Sequence, residues 1–250
     1  MKARYLTILI ILVCSNVYSA SLSVLSGNTY KSYSEEVYSK EIITIDHYGT
    51  WKYGSIFFYY DISRGVGKED KSDFFGSISP MFSLSKITGN DYSSKCLRDV
   101  ELKFELEHVS NWTPVYFYGF NFPLKINGMQ YFNFAPVLRD DPTKKGVGGQ
   151  VVLSWGKSIY LSSKFDFQFS GFLAAGVIPE YKDKFFMITQ PQFLMDLGRV
   201  LDSEKNQFYA GIELSYAINR YLKKGTPAPD GGEEPGFDET VLQAMVKLNY

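Results

Sequence analysis

Between Asp99 and Glu107 the chain alternates without a break. Val100, Leu102, Phe104 and Leu106 fall on one side, and Asp99, Glu101, Lys103, Glu105 and Glu107 on the other. A period of two marks a strand with one apolar and one polar face. The same pattern runs over Tyr160 to Ser170, where Phe165, Phe167 and Phe169 oppose Lys164, Asp166, Gln168 and Ser170. In Gln207 to Ile218, Phe208, Ala210, Ile212 and Leu214 oppose Gln207, Tyr209, Gly211, Glu213 and Ser215. At the C-terminus Leu242, Ala244, Val246, Leu248 and Tyr250 oppose Glu239, Gln243, Lys247 and Asn249. Further alternations lie near 38–47, 54–62, 75–85, 113–123, 130–139, 147–155 and 185–196, and nothing after residue 19 has the 3.6-residue period of a long amphipathic helix.

A strand that carries one apolar face and stops on an aromatic is how the closing strand of a bacterial outer-membrane barrel is written, with lipid outside and water inside. The fold class expected is therefore all-β: an antiparallel transmembrane β-barrel of about 12 strands, since eleven alternating segments need an even partner. The stretch Ser21 to Ser26 supplies the twelfth. If both ends of the chain are periplasmic, the long Gly-, Pro- and acid-rich connection 220–238 is extracellular, and the short ones at 47–53, 124–128 and 156–159 are periplasmic turns. Two connections break that alternation: 86–98 is long where a turn is due, and 109–113 is short where a loop is due. Pro80, Pro136 and Pro191 fall inside strands and cannot donate to a ladder, so a bulge is expected at each.

The first residues point to export. Met1 to Arg4 is a short basic region, Tyr5 to Val13 an apolar run, and Val17-Tyr18-Ser19 a signal-peptidase site. The domain layout expected is a signal peptide at 1–19, with cleavage at Ser19 or next at Ala20, and a barrel at 20–250. The apolar run falls short of the ~20 residues of a spanning helix, and Val13 before Cys14 is too large for a lipoprotein signal.

Composition narrows the function. The formal charge of −1 becomes −3 when Lys2 and Arg4 leave, a near-neutral balance that argues against nucleic acid as a partner. Cys14 leaves with the signal and Cys96 is then alone, so no intramolecular disulfide or thiolate metal cluster is expected. Mean hydropathy of −0.15 conceals a membrane surface, because each strand dilutes its apolar face with a polar one. The 19 Tyr and 20 Phe suit aromatic girdles, although a soluble β-sandwich core would hold them equally well.

Catalytic constellations are sparse. His47 and His108 sit in no metal-spaced cluster and beside no nucleophile motif, and strand-end positions at a membrane interface account for both. A barrel hydrolase using either of them is the least favoured alternative, and no cofactor is expected. Gly-Val-Gly-Gly at 146–149 lacks the Lys-Ser/Thr of a phosphate loop and suits a turn or wall kink. Asn111-Trp112-Thr113 matches a glycosylation acceptor only by accident in a bacterial protein. The informative side chains are those of the polar faces: Glu101, Lys103, Glu105, Glu107, Lys164, Asp166, Gln168, Tyr209, Glu213 and Lys247 project into the lumen if the apolar faces meet lipid. They form either a network that plugs the lumen or a mixed-sign pore lining that selects solutes, and inward tyrosines such as Tyr59 and Tyr209 could stack a planar ligand.

The segment from Ile42 to Ser63 (IITIDHYGTWKYGSIFFYYDIS) is followed by Phe74-Phe75-Gly76-Ser77-Ile78-Ser79-Pro80 and Phe82-Ser83-Leu84. Together they resemble the nucleoside-specific channel-forming outer-membrane family, the Tsx-like barrels. Leu153-Ser154-Trp155-Gly156-Lys157 and Thr189-Gln190-Pro191-Gln192-Phe193 are more similar to a separate branch of related barrels. The resemblance implies a monomeric twelve-stranded barrel in the outer-membrane lipid whose narrow lumen binds nucleosides through aromatic and ionisable groups, without assigning those contacts to particular residues here. The functions expected are passive diffusion of small polar solutes, nucleosides first, or a non-conducting structural or adhesive barrel. The strand ending at Tyr250 would address the chain to the barrel-assembly machinery.

Overall fold

A computed structural model of the chain describes residues 17–31, 36–66, 72–110, 113–162, 164–178, 184–219, 226–227, 233–234 and 238–250. Most of the expected signal, most of the 220–238 connection, and Asn111 and Trp112 of the acceptor-like triplet lie outside the described residues. The strands are β1 (Val17–Lys31), β2 (Val37–Trp51), β3 (Gly54–Val66), β4 (Ser72–Ser83), β5 (Glu101–Val109), β6 (Val115–Pro123), β7 (Tyr131–Asp140), β8 (Gly148–Tyr160), β9 (Asp166–Ile178), β10 (Lys184–Thr189), β11 (Gln192–Asp196), β12 (Phe208–Ile218), the two-residue pair β13 (Thr226–Pro227) and β14 (Glu233–Glu234), and β15 (Glu239–Asn249). Two short helices, α1 (Leu84–Thr88) and α2 (Leu197–Val200), lie in connections. No helix among the described residues is long and apolar enough to cross a membrane.

From β1 to β9 each strand pairs antiparallel with its sequence neighbour, and β10 and β11 lie end to end between β9 and β12 as one wall strand. β15 pairs with both β12 and β1, so the wall closes as a barrel of twelve strands without a free edge. The start of β1 and the end of β15 lie together, with the amide of Tyr250 donating to the carbonyl of Ala20 at 2.9 Å. We call this end proximal and the other distal.

The prolines produce no bulges, contrary to the sequence expectation. Pro80 pairs with Ile56, while the ladder to β5 lapses between Ile78↔Leu106 and Met81↔Lys103 and resumes in unchanged register. Pro136 pairs with Val151 and interrupts only the ladder to β6, between Gly119↔Val137 and Phe122↔Phe134. Pro191 separates β10 from β11, yet Thr189↔Leu173 and Gln192↔Ser170 keep one register. A proline removes one donor, and a lost hydrogen bond on one side needs no inserted residue to relieve it. Gly171 stands opposite, where an added Cβ would come within 2.5 Å of the Gln190 carbonyl oxygen. Among the described ladders the register shifts between Gly27 and Tyr30, where β1 meets β2.

A second correction concerns β9. Its ladder begins at Asp166, because β8 runs on to Tyr160 through the expected turn at 156–159. Ser162 closes the real turn, its hydroxyl accepting the amides of Lys164 and Phe165. The long connection at 86–98 is kept: α1 starts on a Ser83 cap, and Leu97 bridges to Leu124 in the β6–β7 connection.

The faces are as the alternation requires. Leu242, Ala244, Val246, Phe104, Ile212 and Phe193 turn outward, while Gln243, Met245, Lys103, Glu213 and Leu194 turn inward. Outward aromatics gather in two belts. The proximal belt joins Trp51 to Phe82 at 5.4 Å and Phe82 to Phe104 at 6.0 Å, and includes Phe120, Phe122, Phe134, Phe167 and Phe193. The distal belt joins Tyr60 to Phe74 at 6.2 Å and Phe74 to His108 at 4.9 Å. Two aromatic girdles around an apolar outer wall are the arrangement of transmembrane barrels.

Candidate functional site in the barrel lumen

On β5 the period of two carries Glu101, Lys103, Glu105 and Glu107 to the inner face, as the sequence indicates. Glu101 accepts from Asn121 Nδ2 at 2.6 Å, and Lys103 Nζ lies 2.8 Å from Glu105. Arg139 of β7 lies 3.9 Å from Glu107 and 3.8 Å from Asp141, and its guanidinium also covers the rings of Phe117 and Phe186. These side chains form a column from the proximal end, at Glu101, to the distal end, at Arg139 and Asp141. The pairs keep some contact with solvent: side-chain exposure is 11% for Lys103 and 18% for Glu105.

Glu213 of β12 lies in a different setting. It accepts from Gln192 Nε2 at 2.7 Å and Gln243 Nε2 at 2.9 Å, and Gln243 accepts in turn from the Tyr30 hydroxyl. Gln243 and Leu194 are fully buried here. Tyr209 packs with Leu25, Leu194 and Met245 and donates to Asn206 at 3.0 Å, so its ring belongs to an apolar cluster and offers no free face. Lys247 reaches Asp46 at 3.4 Å, and Ser21 donates to the same carboxylate. Gln168 stands opposite Leu194 on the inner face, and Asp166 is paired with Arg199 Nε at 2.5 Å. Lys164 is the exception among the expected lining residues. It sits in the Ser162 turn, exposed, 3.5 Å from Asp202.

Sequence reasoning missed Arg139, Asp61, Asp46 and Arg199. Asp46 and Asp61 were open to detection, because Thr44 and Asp46 alternate with Ile43 and Ile45, and Thr44 donates to Asp61 at 2.6 Å across the β2–β3 ladder. Arg139 gave little signal, since its inner-face neighbours Ala135 and Val137 are apolar. Arg199 lies on α2, where its amide donates to the Asp196 side chain in a helix cap, which has no strand period.

The β4 inner face is small and polar, with Ser77, Ser79 and Ser83 all buried. Tyr59 of β3 and Glu107 of β5 flank Ser77 in one cross-strand row, and by the same register Phe57 and Glu105 flank Ser79. Tyr59 also contacts Phe57 at 6.0 Å and Phe75 at 5.8 Å. This wall can offer a π-face, hydroxyls and carboxylates to a solute. His47 and His108 are on the outer face, against Phe58 at 5.3 Å and Phe74 at 4.9 Å, away from this chemistry. Among the described residues no three His, Cys, Asp or Glu side chains are placed to hold a metal ion.

At the proximal end, outside the wall, Asp99 organises the β4–β5 connection. Burial would raise its carboxyl, but hydrogen bonds from Ser83, Ser85 and the Val100 and Ser85 amides outweigh it and hold the group below the usual carboxylate range. Cys96 is exposed in the same connection.

Comparison of the chain with protein families and with curated proteins finds no match. The fold is compatible with an outer-membrane channel, and closed barrels of this kind are typical of outer-membrane proteins.

Proposed function

We propose that this chain is a bacterial outer-membrane channel for passive diffusion of small polar solutes, favouring cations over anions. The observation that carries this is the column Glu101, Lys103, Glu105, Glu107 and Arg139, ionisable groups touched by solvent along one side of a closed lumen. Charged rings in a narrow, low-dielectric passage set the local concentration of permeant ions. With both termini at the proximal end, that end is periplasmic and the distal connections are extracellular. Nucleosides are the solutes to try first, on the resemblance of Ile42 to Ser63 and Phe74 to Leu84 to the Tsx-like channels. Under this proposal the strand ending at Tyr250 is read by the barrel-assembly machinery, and the outer wall meets outer-membrane lipid.

The test is conductance of the refolded chain in planar bilayers. Cation selectivity is expected in the wild type, with a shift toward anions when Glu105→Gln and Glu107→Gln are combined. An insulating wild type would sink the channel reading. A second reading, a non-conducting structural barrel, is favoured by the sealed packing of Leu194, Val241 and Gln243 on the opposite side of the lumen, and an insulating result would leave it standing.

A further inference from the structure

The inner wall formed by β3, β4 and β5 repeats one motif on two successive rows. In the first, Tyr59, Ser77 and Glu107 lie side by side, and in the next Phe57, Ser79 and Glu105. Strands are spaced about 4.8 Å apart, so the aromatic side and the carboxylate side stand roughly 10 Å apart at the backbone, with serine between them. Phe75 extends the aromatic side, 5.8 Å from the ring of Tyr59. Asp61, two residues along β3, lies within electrostatic reach of Tyr59, as do Glu105 and Glu107. The Ser79 hydroxyl between the two sides is 1% exposed and has no hydrogen-bond partner. A buried, unpartnered hydroxyl carries a desolvation cost that a polar group of a ligand would relieve.

We infer that the Tyr59–Ser79–Glu105 wall is a binding subsite for a small organic cation, an ammonium carried on an aromatic or other apolar body. An ammonium is attracted to the face of an aromatic ring and to carboxylates at once, and its apolar body is accommodated by Phe57 and Phe75. The sign of the charge follows from the neighbours. When ionised, Glu105, Glu107 and Asp141 outnumber Lys103 and Arg139, and Arg139 is divided between Glu107 and Asp141. An anion would meet this excess of negative charge, and a neutral ring would stack without using it. The inference deepens the channel reading by naming a solute class for the same lumen, and rests on that reading only for transport.

The experiment is calorimetric titration of the refolded full chain in a non-ionic detergent with benzylammonium, benzyl alcohol and benzenesulfonate. The cation should bind saturably and at least roughly tenfold more tightly than the other two. Tyr59→Leu should weaken it roughly two- to thirtyfold, the range of cation–π contributions, and Glu105→Gln with Glu107→Gln should erase the preference for the cation. Heat-modifiable migration on gels shows that each variant has folded, and Phe57→Leu replaces Tyr59→Leu if that one has not. No saturable binding, or equal affinity for cation and alcohol, overturns the subsite. Bilayer conductance is scored separately: binding without conductance keeps the subsite and removes the channel, and conductance without binding keeps the channel and removes the subsite.

Discussion

The inner face of β1, β11, β12 and β15 is sealed: Ser23, Leu25, Leu194, Val241, Gln243 and Met245 are buried, and Leu25, Leu194 and Met245 pack in one cluster with Tyr209 of β12. Across the lumen, Tyr59, Asp61, Phe75, Glu105 and Glu107 on β3, β4 and β5 remain only partly covered. Both sides contain clearly alternating strands, β5 on one and β12 and β15 on the other. The difference lies in what meets each polar group. Glu213, on the sealed side, is held by two neutral amides that arrive from β11 and β15. Glu105 and Glu107, on the other side, have cations beside them and water within reach. A buried polar group needs every partner supplied by the protein, whereas one at a wet surface does not. The sealed side therefore bears on stability, and the wet side on the passage of solutes.

Truncation gives the largest contrast between the two sides. Leu194→Ala removes a fully buried side chain from the cluster with Leu25, Tyr209 and Met245, and is expected to cost ~2–5 kcal/mol in urea unfolding from lipid vesicles. Tyr59→Phe removes a hydroxyl from the wet side and should cost less than about 1 kcal/mol. Equal losses would mean that the two sides are packed alike. Next in size is the contrast across the wall itself. Phe104→Arg puts a charge on the lipid face for ~2–4 kcal/mol, while Lys103→Gln, one residue away on the inner face, retains a donor for Glu105 and should cost about 1 kcal/mol. Vesicle-embedded yield and heat-modifiable migration measure both, and similar tolerance would reverse the assignment of the faces.

The alternation made the wall legible because it reports which residues face which solvent, and the twelve strands and their faces follow from it. It could not report how the lumen is filled. Glu213 and Glu105 look the same on a period-two segment, and what separates them is Gln192 and Gln243 arriving from other strands. Lys164 was misplaced because Lys164 to Ser170 alternates as a strand would, while the Ser162 hydroxyl captures two amides and turns the chain. The prolines misled in the opposite direction, since one missing donor left the register of β4, β7 and the β10–β11 strand unchanged.

Gln243→Leu tests the sealed network with a smaller change. It keeps the volume but removes the Gln243 donor to a Glu213 oxygen and the Gln243 acceptor of the Tyr30 hydroxyl, at a cost of roughly 1–3 kcal/mol. Restoring stability by adding Glu213→Leu in the same chain would show that the penalty came from the orphaned carboxylate. If Gln243→Leu is neutral by itself, water already reaches the sealed side and the contrast weakens.

The smallest effect is expected outside the wall, at Asp99. Its carboxyl is held below the usual range by Ser83, Ser85 and the Val100 amide, so its contribution is fully present above the unfolded value and is lost as pH falls through the lower folded value. The urea midpoint of the wild type should thus exceed that of Asp99→Asn near neutrality, and the gap should close as the medium is acidified past the ordinary carboxylate range and through the lower folded value. A gap that persists unchanged at the acid end would mean that asparagine fails at Asp99 through its shape, and that the charge of the carboxylate does not hold α1 and the β4–β5 connection in place.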